Sequence, residues 1–264
     1  MPSPTSVSDQ WIRRYHRAAE DAVELVCFPH AGGSAPYFAP VSAALSPAFE
    51  VMAVQYPGRQ ERRHLAGIDD IPELARQAHA ALAEAGTGAH GRPVALFGHS
   101  MGALVAFEVA RLMERDGGGP VVLFVSGRRA PSRVRGGDVP HNDASIVADI
   151  RALGGTDARV LSDPELLGMV LPALRSDYRA VARYRQGEDA RIGAPLVVLT
   201  GDGDPHTSPE EAGAWRAHTT GPFEVHTFPG GHFYLEDQMR PVLATIRDAV
   251  GRLGRGAPGG PYGG

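Results

Sequence analysis

No lysine occurs in the 264 residues; all 26 basic side chains are arginine. With alanine and glycine abundant, this is the codon bias of a GC-rich coding sequence and has no mechanistic weight. Acidic residues outnumber basic ones, 30 to 26, for a formal charge of −4. The polybasic field that nucleic-acid binding requires is therefore missing. A single cysteine, Cys27, excludes an internal disulfide framework and fits a reducing compartment. No segment approaches the ~20 consecutive apolar residues needed to span a bilayer. The N-terminal stretch lacks the roughly 7–15-residue apolar core of a signal peptide. A soluble, cytoplasmic protein that touches neither membrane nor nucleic acid is expected. With one cysteine, no H-E-x-x-H and no histidines paired at helical spacing, no metal constellation is present. A P-loop is missing too, as is a G-x-G-x-x-G after the first strand, so nucleotide chemistry is unsupported.

What is present is alternation. Apolar runs at 23–28, 50–56, 93–98, 120–126, 194–201 and 222–228 read as strands. Several are near-continuous in Val, Leu and Phe, as strands buried on both faces of a parallel sheet should be. "WIRRY" at 11–15 suggests an additional edge strand. Helical patterns lie between them, at 71–85, after Ser100 with the stripe Val105, Val109, Leu112 and Met113, and at 242–253. Strand and helix in turn predict a βαβ architecture with right-handed crossovers, in a chain short enough for one large α/β domain.

The interval 131–191 breaks this rhythm. It opens as a loop and becomes helical without strands, with a stripe through Leu166, Leu167, Val170, Leu171 and Leu174. Pro172 interrupts that stripe, which predicts two helices or a kink. An all-helical insertion between two strands reads as a lid over the edge of the sheet; ordinary packing helices are the alternative. The core is then 1–130 with 192–253, and 254–264, rich in glycine and proline, is a flexible tail.

"VALFGHSMGALVAFEVA" sets a G-x-S-x-G motif between an apolar strand and a helix. Turning sharply from one into the other forces Ser100 into a strained backbone, and only neighbours as small as Gly98 and Gly102 let the segments pack. Ser100 is the candidate nucleophile. It needs a base, and the base an orienting carboxylate, which in such a sheet follow in the order Asp, His. "LVVLTGDGDP" offers Asp202 and Asp204 after a buried strand. Asp204 sits deeper in the loop and is the candidate, with Asp202 a turn residue. In "FEVHTFPGGHFYLED", His226 falls within a strand, whereas His232 lies on a loop free to reach Ser100 and is the candidate base. His99, beside the serine, is read as supporting packing. The remaining histidines, His206 among them, need no role. Oxyanion donors are expected from the backbone N–H of Met101 and, in "CFPHAGGSAPYF", of Ala31. His30 either shapes that loop or simply packs. Cys27 reads as a buried small hydrophobe.

Taken together and in order, "LVCFPHAGGSAPYF", "YPGRQERR", "FGHSMGALVAFEVA", "LRSDY", "LTGDGDP" and "FPGGHFYL" resemble the type II, or editing, thioesterases of polyketide and nonribosomal peptide biosynthesis. The resemblance runs from about residue 11 to 253. It implies an α/β-hydrolase fold, with a mostly parallel central sheet flanked by helices and a helical lid. It implies the triad Ser100, Asp204 and His232, with oxyanion donors at Ala31 and Met101. It further implies a substrate carried as an acyl thioester on the phosphopantetheine of an acyl or peptidyl carrier protein, with no cofactor bound by the enzyme itself and a monomeric state. A product-releasing thioesterase or a general carboxylesterase is the alternative. For Arg59, Arg62, Arg63, Arg128, Arg129 and Arg133, contact with an acidic carrier and plain solvation are both open.

Overall fold

A computed structural model describes residues 6–133, 140, 142–155 and 161–253. Among them, seven strands form one sheet in the order β1-β3-β2-β4-β5-β6-β7. They are β1 Ile12–Arg14, β2 Val23–Phe28, β3 Phe49–Val54, β4 Val94–His99, β5 Val122–Ser126, β6 Leu196–Gly201 and β7 Phe223–Phe228. Neighbours are parallel except for β1, which pairs antiparallel with β3 and closes one edge. Every run read as a strand is one, including the short edge segment at "WIRRY". Four strands, β4 to β7, begin one or two residues later than the pattern suggests, because Pro93, Pro120, Pro195 and Pro222 lie at their starts. Proline has no N–H to give to a ladder.

The strands alternate sides as the pleat requires. Leu25 and Cys27 enter one core cluster, while Val26 and Phe28 enter the other. Helices α1 Val7–Trp11 and α2 Ala39–Leu45 precede α3 Ile71–Glu84 and α4 Met101–Arg115. The side chains of α3 and α4 pack on the Val26/Phe28 face. Those of α2 and the last helix pack on the Leu25/Cys27 face. Helix α3 starts where the Asp70 carboxylate accepts the Glu73 N–H at 2.8 Å. Along α4, burial is wider than the sequence stripe: all ten residues from Met101 to Ala110 are buried. The helix is enclosed between the sheet and other helices over its first turns, and only its last turns are amphipathic.

Between β5 and β6 lie α5 Asp143–Leu153 and α6 Pro164–Arg183. Residues 134–139, 141 and 156–160 of this interval, and the tail at 254–264, fall outside the described residues. Helix α6 runs unbroken through Pro172, so the expected division into two helices does not occur. Pro172 removes the hydrogen bond to the Gly168 carbonyl, but both residues are on the exposed face. Water can take the freed carbonyl there. On its inner face α6 gives Leu174 and Tyr178 to a small cluster with Ile146 and Ile150 of α5. It gives Ala180 and Val181 to the main core. After β6 come α7 Pro209–Gly213, α8 Tyr234–Asp237 and α9 Met239–Leu253. No helix among the described residues is long and apolar enough to cross a membrane.

Candidate active site

The loops at the carboxyl ends of β2, β4, β6 and β7 converge, as open parallel sheets arrange their sites. At the end of β4, Ser100 has φ 55° and ψ −116°, a left-handed conformation costly for any side-chain-bearing residue. Glycine is required on either side. A Cβ on Gly98 would lie 2.2 Å from the Gly102 carbonyl oxygen, and one on Gly102 2.0 Å from that of Phe28. The turn is further pinned by the Ser100 N–H, which donates to the Ser126 carbonyl at 2.8 Å.

Asp204 and His232 meet from the loops after β6 and β7. The His232 Nδ1–H donates to both carboxylate oxygens of Asp204, at 3.0 and 2.9 Å. A carboxylate can only accept, so Nδ1 carries the proton and Nε2 is left with its lone pair. Ser100 and His232 open into one cavity, whose walls include Ala31, Met101, Arg128, Ile150 and Tyr178. The two loops are sewn together by the Asp202 Oδ1, which accepts the Gly230 N–H at 2.9 Å. The Gly203 N–H also donates to the Gly230 carbonyl at 2.9 Å. Asp202 is therefore the turn residue expected, but it braces the histidine loop as well as its own. His226 lies on the partly exposed edge strand, 3.0 Å from Glu224 and remote from the chemistry.

His99 packs against His232, their ring centres 5.1 Å apart. Its Nδ1 is 2.9 Å from the Ser126 hydroxyl, which is 2.6 Å from the Tyr234 hydroxyl. Burial, then the neighbouring His232 and His30, hold His99 well below the ordinary histidine range. Burial likewise lowers His30 to about 3, with His232 and Arg59 adding to the effect. Both imidazoles stay neutral at neutral pH, so neither repels a proton taken up by His232. His30 helps to shape the loop after β2: its carbonyl accepts the Gly33 N–H at 2.9 Å, and its ring stands against Tyr37 and Phe233. Cys27 is fully buried, and burial pushes its thiol pKa up, away from the reactive thiolate.

Sequence reasoning missed His206. Its backbone N–H donates to Asp204 Oδ1 at 2.8 Å, helping to hold the carboxylate. Its ring Nε2 reaches Asp149 Oδ1 at 2.9 Å, and Asp149 Oδ2 accepts the Tyr178 hydroxyl at 2.7 Å. Asp149 and Tyr178 belong to α5 and α6, so the pairing is visible only once the chain is folded. The arginines divide. Arg59, Arg62 and Arg129 are buried, Arg128 and Arg129 line the cavity, and Arg63 and Arg133 are exposed. No cluster of three metal-ligating side chains exists among the described residues.

A serine held in a strained strand-to-helix turn, with a carboxylate-bound histidine on later loops of a sheet in this order, is the site of an α/β hydrolase. The thioesterase domain family matches residues 23–250, and the chain belongs to it. Thioesterase PikA5 of Streptomyces venezuelae is 48% identical over 253 residues, spanning 95% of this chain and 89% of its own. The structure of the type II thioesterase BorB, from the borrelidin biosynthetic cluster, superimposes with a TM-score of 0.84 at 48% identity, covering 94% of this chain and 99% of that one. YbtT, a type II thioesterase of the yersiniabactin pathway, does so at 0.81 and 31% identity, covering 92% and 99%. The chain is thus a thioester hydrolase.

Proposed function

We propose that this enzyme hydrolyses acyl groups from the phosphopantetheine arm of acyl or peptidyl carrier proteins in polyketide or nonribosomal peptide biosynthesis, using Ser100, His232 and Asp204. One observation supports this most: the strained Ser100 and the Asp204-bound His232 border the same cavity. The Ser100 hydroxyl attacks the thioester carbonyl as His232 Nε2 takes its proton. The N–H groups of Ala31 and Met101, which form no turn or side-chain hydrogen bond among the described residues, receive the oxyanion. The C–S bond breaks, the pantetheine thiol leaves with the proton from His232, and the acyl group stays on Ser100. Water, deprotonated by His232, then releases a carboxylic acid and restores the serine. A thiolate leaves readily, so oxyanion stabilisation and positioning carry more of the catalysis than acid assistance. The enzyme works as a monomer in the cytoplasm, with no cofactor of its own.

The test is kcat/KM for one acyl group presented on a holo-carrier protein, on N-acetylcysteamine and as an ethyl ester. The carrier form is expected to be fastest. Equal rates for all three would reduce the enzyme to a general esterase.

A further inference from the structure

The oxyanion loop is not self-supporting. Residues 30–33 make one tight turn, closed by the Gly33 N–H to the His30 carbonyl, with Gly32 at φ +75°. A positive φ at the third position is that of a type II turn, whose central peptide can flip. The Gly32 N–H, on that central peptide, donates to Asp177 Oδ2 at 2.7 Å. Asp177 lies on α6, is fully buried, and accepts Arg59 Nη2 at the same oxygen. Arg59 in turn gives its Nε–H to the Gly33 carbonyl at 3.0 Å and its Nη1–H to the Pro57 carbonyl at 2.7 Å. Two consecutive units of the loop, the Gly32 N–H and the Gly33 carbonyl, are therefore gripped by one buried ion pair. The grip is tight in the steric sense too, since a Cβ on Gly32 would lie 2.4 Å from Leu174 of α6.

Fold stability is a poor reason for such a pair. Two charges removed from water lose much of their attraction to desolvation, and an apolar pair of similar volume is often as stable or more so. The burial is felt at Asp177, whose carboxyl is raised by desolvation despite Arg59 and the Gly32 N–H. What an apolar pair could not do is hold the peptide that follows Ala31 in one orientation.

We infer that Asp177 and Arg59 are positioning residues that fix the oxyanion loop so that the Ala31 N–H is aimed at the reacting carbonyl. This rests on the reading of Ala31 as an oxyanion donor and of Ser100 as the nucleophile. Because Asp177 is on α6, a helix bordering the cavity, the hole is assembled only with α6 in place. Deleting one partner would leave the other charge buried and unpaired, confusing folding with function.

The test is the double variant Arg59→Met/Asp177→Leu, which replaces the pair with apolar side chains. It is expected to keep its circular dichroism and melting temperature and to lose kcat by about 10²–10³-fold, the usual cost of a lost oxyanion donor, with KM within about threefold. The Ki of an acyl trifluoromethyl ketone, whose adduct places an oxyanion in the hole, should rise by a similar factor. Binding of the matching inert pantetheine thioether should not change. Arg59→Lys, which keeps the charge but loses the Nε donor to Gly33, should show the same pattern more weakly. A folded double variant with near-normal kcat, or one impaired only in KM, would overturn the inference. So would failure of both variants to fold, which would assign the pair to the fold alone. The nucleophile reading is judged separately, by whether Ser100→Ala retains turnover in the otherwise unaltered enzyme.

Discussion

His232 is gripped by Asp204 through both carboxylate oxygens, at 3.0 and 2.9 Å, with both side chains removed from solvent. This fixes the tautomer that leaves Nε2 free to accept a proton. Asp204→Asn retains the volume but presents an amide that can hold the other tautomer. It is expected to lower kcat by on the order of 10³–10⁴-fold with little change in the melting temperature. Steady-state kinetics on an acyl thioester checks this, and a loss below tenfold would remove Asp204 from the orienting role.

The glycines of the elbow are required sterically rather than chemically. In Gly102→Ala the new methyl would sit 2.0 Å from the Phe28 carbonyl oxygen, which is backbone of a central strand and cannot yield. A loss of about 3 kcal/mol or more is expected from urea denaturation. An unchanged midpoint would mean that β2 and α4 are not in the close contact described.

His99 and His30 set an acid limit on stability. Both have folded pKa values below the ordinary 6.5, His30 at about 3. Below pH 6.5 the unfolded chain takes up protons that the folded chain refuses. Their contribution is thus complete above pH 6.5 and is lost as pH falls, by up to about 1.4 kcal/mol per pH unit for each histidine. His99→Gln should flatten the dependence of unfolding free energy on pH between 6.5 and 5. Identical slopes for the variant and the parent would show that His99 titrates normally in the folded state.

The lone thiol plays no part. Cys27 is buried in β2, and its pKa is raised by burial, so a thiol reagent should leave the native enzyme active and unlabelled. Labelling should appear only in denaturant. Inhibition of the native enzyme in step with modification of Cys27 would contradict the assignment of the chemistry to serine.

Much of this was legible in the sequence because it is local. The Val-rich runs, the glycines around Ser100 and the placement of Asp204 and His232 just past apolar strands all follow from patterns within a few residues. What escaped depends on distant segments meeting. Asp149 joins His206 only when α5 lies against the loop after β6. Arg59 reads as a surface charge until Asp177, 118 positions later, is folded against it. Helix α6 survives Pro172 because that face is solvated, a fact that the stripe of leucines does not contain.

The central claim is that Ser100 carries the acyl group, and rapid-quench mass spectrometry tests it most directly. Mixing the enzyme with an acyl-pantetheine thioester and quenching within the first turnover should reveal the acyl mass on the peptide containing Ser100. The Ser100→Ala variant should show neither adduct nor turnover. An adduct on another residue, or undiminished hydrolysis by Ser100→Ala, would contradict the account.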